Sequence, residues 1–103
     1  MLIATVNEIQ GKTYEVLGLA KGSVVQSKHL GRDIAAGLKT LIGGEIAGYT
    51  EMLAEARQIA TDRMINEAKR LRADAIIAVR YESSSIMQNA AEVLAYGTAV
   101  RFL

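Results

Sequence analysis

Few side chains in this 103-residue chain could do chemistry, and most of them are carboxylates and guanidinium groups. There is no cysteine and a single histidine, His29. Thiolate nucleophiles, disulfides and thiolate metal sites are therefore excluded together. Zinc and its neighbours prefer Cys and His ligands, so a metal site within one chain would need His29 plus carboxylates, or carboxylates alone. The candidates are Glu45, Glu51, Glu55 and Asp62. Glu51 and Glu55 stand four residues apart, which sets two ligands on one helix face and is also the ordinary spacing of a solvated acidic face. His29 reads most simply as a surface or locally hydrogen-bonded side chain.

Nucleophilic catalysis has little support. Ser83, Ser84 and Ser85 carry hydroxyls, His29 could act as a base and Asp33 could orient it, yet nothing in the spacing brings them together. No catalytic constellation is visible, and the expectation is a protein that is not an enzyme. Neither G-x-G-x-x-G nor G-x-x-x-x-G-K-[ST] occurs. Gly43-Gly44 precedes an expected helix N-terminus, where free amides can bind an anion. Glu45 in that first turn would oppose an anion, and a tight junction between two helices is the plainer reading.

The elements that must carry these residues follow from periodicity. There is no proline, so glycine is the main punctuator. Residues 2–6 read as a short strand. Residues 13–27 are rich in β-formers and interrupted by Gly18 and Gly22, which suggests one long kinked strand or two short ones. Residues 33–42 follow helical spacing behind Asp33 as N-cap, and Gly43-Gly44 closes that helix. A long amphipathic helix is expected from about residue 46 to 71, roughly 39 Å at about 1.5 Å per residue. Ile46, Tyr49, Met52, Leu53, Ala56, Ile59, Ala60, Met64, Ala68 and Leu71 spread over about half its circumference, wider than packing on one sheet requires.

Three charges interrupt that stripe. Arg57 falls within it, and Arg63 and Glu67 lie at its edge at i, i+4 spacing. A buried charge is costly unless paired. These side chains either snorkel or pair within the helix, or pair across a subunit interface, or, for Arg57, line an anion pocket. Residues 75–79 form a continuous apolar run that suits a strand covered on both faces. Residues 83–91 read as a polar loop, although Ile86 and Met87 could extend the strand. From residue 92 the chain alternates, with Leu94, Tyr96, Val100 and Phe102 on one face and Val93, Ala95, Ala99 and Leu103 on the other. The last two strands should form an antiparallel hairpin. Gly97 within the last strand reads as a position of close packing or a bulge.

The expected fold class is thus α+β, in the order β-β-α-α-β-β, with a mainly antiparallel sheet and the long helix packed on one face. Residues 1–103 make a single domain by length. The net charge of +1 supplies no field for nucleic acid or an acidic membrane. No run reaches the roughly 18 apolar residues of a membrane span, and the N-terminal segment lacks a basic n-region. A soluble, cytoplasmic protein is the expectation. Half of the residues are apolar, rich for so short a chain, which favours apolar surface covered by another subunit.

The segment Gly43-Gly44-Glu45-Ile46-Ala47-Gly48-Tyr49-Thr50, with Ala56-Arg57 behind it, resembles the signature of the YbjQ-like proteins. Arg32-Asp33-Ile34, Ala73-Asp74-Ala75-Ile76 and Tyr96-Gly97-Thr98-Ala99-Val100 continue the likeness in the same order along nearly the whole chain. The family is largely uncharacterised and carries the label "putative heavy-metal-binding". The resemblance implies a homo-oligomeric ring, a pentamer, in which strands of adjacent subunits meet. It makes a metal ion or small ligand at a subunit interface the implied function, with a ring that scaffolds another macromolecule as the alternative. On that reading His29, Glu51 and Glu55 are the metal candidates, and Arg57, Arg63, Glu67, Gly43 and Gly44 the interface or ligand candidates. The family usually has glycine before the Ala-Asn/Asp-Ala entry to the strand, where this chain has Arg72. Arg72 must therefore adopt a left-handed conformation or end the helix differently.

Overall fold

The computed structural model describes residues 1–27, 41–42 and 45–103. Its elements are β1 (Leu2–Ile3), β2 (Tyr14–Ser27), β3 (Leu41–Ile42), β4 (Glu45–Ile46), a single described helix α1 (Ala47–Arg70), β5 (Ala75–Met87) and β6 (Ala90–Phe102). Among the described residues no helix is long and apolar enough to cross a membrane.

Four strands make one sheet in the order β1-β5-β6-β2. β6 is central and antiparallel to both β2 and β5, while β1 runs parallel to β5, so the sheet is mixed rather than uniformly antiparallel. β3 and β4 pair separately as a two-stranded ladder, Leu41 with Ile46 and Ile42 with Glu45. This corrects the expectation that residues 41–42 end one helix and Ile46 opens the next. Short apolar runs satisfy either period, and pairing across residues 43–44 decides between them. Residues 33–40 of the expected first helix lie outside the described residues.

β2 is one continuous strand with a bulge. Its register slips between Val16 and Gly18, and Gly18 holds φ +136°, open to glycine and strained for other residues. Gly22 does something else. A Cβ built on it would lie 2.3 Å from the Met64 amide nitrogen and 2.5 Å from the Ala60 carbonyl oxygen. α1 crosses the sheet here with its backbone almost on the strand.

The helix buries a row spaced by four: Met52, Ala56, Ala60, Met64 and Ala68. These pack on Ala20, Val24, Ile76, Val79, Val93, Ala95 and Ala99, with Leu53, Ile59 and Ile65 on the flanks. The fully buried row is mostly alanine, which permits the close approach at Gly22. Leu71 lies past the helix and is exposed. On the sheet's other face a smaller cluster of Ala75, Ile77 and Val100 is covered by Ile9, Tyr14 and Phe102. The two-set alternation expected for the last strand is therefore what β6 shows.

α1 ends in a Schellman arrangement. Arg72 N–H donates to Lys69 O at 3.0 Å, and Ala73 N–H donates to Ala68 O at 3.0 Å. Arg72 sits at φ 62°, the left-handed conformation that glycine adopts without penalty. Replacing Arg72 with glycine should therefore raise stability by about 0.5–1 kcal/mol, the left-handed cost less the extra chain entropy of glycine. A thermal melt showing a lower midpoint for R72G would count against this account.

Asp74 fixes the next strand. Its amide donates to Val100 O at 2.8 Å, and its carboxylate accepts from the Phe102 amide at 2.8 Å. A bulge in β5 lies opposite Gly97, with Ala78 at φ 53° and its amide satisfied by Val6 O at 2.7 Å. A Cβ at Gly97 would lie 2.7 Å from a methyl of Ile76, so close packing is the role of this glycine. β5 then continues through Ser83–Ser85 to Met87. The expected loop shrinks to Gln88-Asn89, with Asn89 in the left-handed conformation it tolerates well.

Candidate functional site

Among the described residues, two depressions adjoin β2 where it runs beside α1. The first, about 450 Å³, is lined by Val25, Gln26, Ser27, Gly48, Glu51, Met52 and Glu55. It brings the expected acidic pair to the end of β2. Both carboxylates are exposed, and among the described residues no three His, Cys, Asp or Glu side chains approach one another closely enough to hold a metal. Hydroxyl, amide and carboxylate groups are hard oxygen donors that suit magnesium or calcium rather than soft metals. His29, Gly43 and Gly44 lie outside the described residues. Glu45 belongs to β4 rather than to a helix's first turn, and Asp62 accepts from the Gln58 amide at 3.0 Å.

The second depression, about 500 Å³, lies where β2 meets the C-terminal half of α1, and Lys21, Arg63, Asn66, Glu67, Arg70 and Glu92 contribute its polar groups. Residues 63, 66, 67 and 70 follow one another along one helical row. β2 is the outer strand of its sheet, and Arg63 reaches across to it. Its Nη1 donates to Ser23 O at 2.6 Å. Arg63 thus does not pair with Glu67 four residues on, as the helix spacing would allow. Among the described residues the only ion pair joins Arg101 and Glu15. The charges in this groove are consequently unpaired with one another.

Arg57 is exposed on the outer side of α1, which corrects its expected place within the apolar stripe. At its height the sheet is met by Ala56, about 100° away around the helix. Its carbonyl accepts from Thr61 Oγ1 at 2.7 Å, and that hydroxyl also meets Tyr81 Oη at 2.7 Å, linking helix to β5.

On the face away from α1, Tyr96 Oη donates to Glu82 Oε1 at 3.1 Å. This hydrogen bond, with the Glu82 charge and slight desolvation, raises the Tyr96 pKa above the ordinary 10.0 against a lowering by Arg80. A raised folded-state pKa stabilises the protein below pH 10 and loses that contribution as pH climbs through the raised value. A spectrophotometric titration of the four tyrosines should show a late-ionising component that Y96F removes.

The fold and the two grooves can be compared with known proteins. A family model described as "Putative heavy-metal-binding" matches residues 1–103, the YbjQ model. The chain belongs to the YbjQ-like family. It is 62% identical over 102 residues to a UPF0145 protein of Thermotoga maritima, covering 98% of this chain and 96% of that one. A UPF0145 protein of Helicobacter hepaticus is 66% identical over 92 residues, 89% of each chain, and one of Clostridium novyi is 55% identical over the whole of both. A crystal structure of a protein of unknown function from Pediococcus pentosaceus, assigned to the DUF74 family, superposes with a TM-score of 0.64 at 20% identity, covering 100% of this chain and 98% of that one. That likeness supports the α+β fold.

The heavy-metal description of the family can be tested on donors. This YbjQ-like chain has no thiolate at all and one imidazole. Of its four methionines, Met52 and Met64 are buried in the core, and Met1 and Met87 are exposed at opposite ends of the sheet's elements. The donor set of the described residues does not fit a soft metal.

Proposed function

We propose that the protein is a non-enzymatic homo-oligomer, a ring of copies joined across the open face of the sheet, that binds a small ligand near the subunit boundary. The observation that carries this reading is the incomplete cover of the sheet among the described residues. These cover one end of the face away from α1 with Ile9, Tyr14 and Phe102. The rest leaves Leu19 and Val25 each 58% exposed on β2, beside the partly exposed Leu94 and Tyr96 of β6. An antiparallel sheet whose second face meets water normally alternates apolar-in and polar-out, so apolar side chains on that face favour a protein partner. The family resemblance makes another copy, in a pentameric ring, the partner of choice.

Light scattering should therefore give a multiple of the 11.1 kDa chain mass at micromolar concentration. The double substitution L19D/V25D should lower that mass to one chain while leaving the helical circular dichroism intact. A single-chain mass for the unmodified protein would overturn the assembly, and an unchanged oligomer in the variant would move the contact elsewhere. Calorimetric titration with zinc, copper and nickel addresses the family's metal description separately. Stoichiometric, tight binding of any of them would require donors gathered from several copies.

A further inference from the structure

We propose that the groove between β2 and the C-terminal half of α1 is a binding site for a small zwitterion, a molecule of amino-acid type carrying an acid group and an ammonium group. Its volume of about 500 Å³ lies in the range of small-molecule clefts. It is bordered by three cationic side chains, Lys21, Arg63 and Arg70, and by two carboxylates, Glu67 and Glu92.

The charges are what single it out. Glu67 stands four residues after Arg63 and three before Arg70, both spacings at which helix side chains pair readily. Neither pair forms, and Lys21 and Glu92 find no partner of opposite sign among the described residues. A groove in which both signs stay unpaired with each other is complementary to a ligand that carries both. A simple anion would meet two carboxylates, and a simple cation would meet three basic groups.

Arg63 is also held in place before any ligand arrives. One of its five N–H donors is committed to Ser23 O, which fixes the guanidinium over the strand and leaves the others for a carboxylate. Fixing a long side chain in advance removes part of the ordering cost of binding. Asn66, one residue before Glu67, adds an amide that can donate or accept. The acid group of the ligand is assigned to Arg63 and Arg70, and its ammonium to Glu67 and Glu92. All these residues belong to one chain, but Lys21 and Glu92 alternate with Gly22 and Val93 and so stand toward the sheet face away from α1, which places the groove beside the subunit boundary proposed above.

The test is isothermal titration of the full chain, in low salt, with the free amino acids. Acetate, inorganic phosphate and methylammonium serve as single-charge probes. At least one amino acid should bind saturably at one per chain, and the three probes at least tenfold more weakly. R70Q, which removes an exposed side chain with no partner among the described residues, and E67Q should each weaken that binding at least tenfold. R63Q should do the same but also loses the bond to Ser23, so its fold is checked by circular dichroism. No saturable binding of any amino acid would overturn the proposal. So would equal binding of phosphate or acetate, or unchanged affinity in both R70Q and E67Q.

Discussion

Replacing Gly22 with alanine is expected to destabilise the protein by about 3 kcal/mol or more, a large share of the roughly 5–15 kcal/mol that holds a domain of this size together. The added Cβ would lie 2.3 Å from the Met64 amide nitrogen, 2.5 Å from the Ala60 carbonyl oxygen and 2.6 Å from the Arg63 Cβ. Two of these three atoms belong to the helix backbone, so no rotamer change relieves the clash. The helix must lift from the strand. Because interiors are close-packed, a lift along the row Ala56, Ala60, Met64 and Ala68 loosens contacts well beyond the site. The Arg63 bond to Ser23 spans the same crossing and should weaken with it. Urea denaturation would measure the effect as a fall in midpoint, with K21A, one residue away on the opposite face of β2, as the control expected to change little. A Gly22→Ala variant within 1 kcal/mol of the parent would mean that helix and strand do not touch as described.

That crossing marks the boundary of what the sequence could reveal. Most of the main sheet, the hairpin, the long helix and the two faces of β6 follow from periodicity, because each is a local pattern with one dominant face, whereas the short β3–β4 pair and the far end of β5 do not. The bulge at Gly18 was also open to inference, since glycine within a run of β-formers signals a break in the ladder. Gly22 reads the same way in sequence, yet its reason is a helix forty residues further on, and no local pattern holds that information. Arg57 failed similarly. It lies three and seven residues from Ala60 and Met64, but the helix crosses the sheet along a row stepping by four and leaves Arg57 outside. The groove residues Lys21 and Arg63 have no relation in sequence at all. Only the crossing at Gly22 brings the outer strand under that stretch of helix. Family membership was legible because its segments are runs of neighbouring residues in fixed order. The small-ligand groove was not, because it exists only after the chain has folded.

Truncating Met64 to alanine should cost about 2–5 kcal/mol, toward the upper part of that range, by opening a cavity under the same crossing. Met64 is the largest fully buried side chain of α1. Its neighbours in the helix row are Ala60 and Ala68, which are already minimal, and Gly22 stands across from it. The site can therefore collapse only by drawing the helix closer, and backbone contact at Gly22 already forbids that. Cavities that cannot collapse are the expensive ones. Met64→Leu, which nearly conserves volume, should cost less than about 1.5 kcal/mol. The two substitutions separate volume from chemistry. If both were equally damaging, the flexible thioether itself would be required, and if both were mild, the row would not be the centre of the core. The combination of Gly22→Ala with Met64→Ala sharpens the point further. The two sites are in contact, so their effects should not add. A cavity at Met64 gives the lifted helix somewhere to shift, and the double variant should be less destabilised than the sum of the single ones.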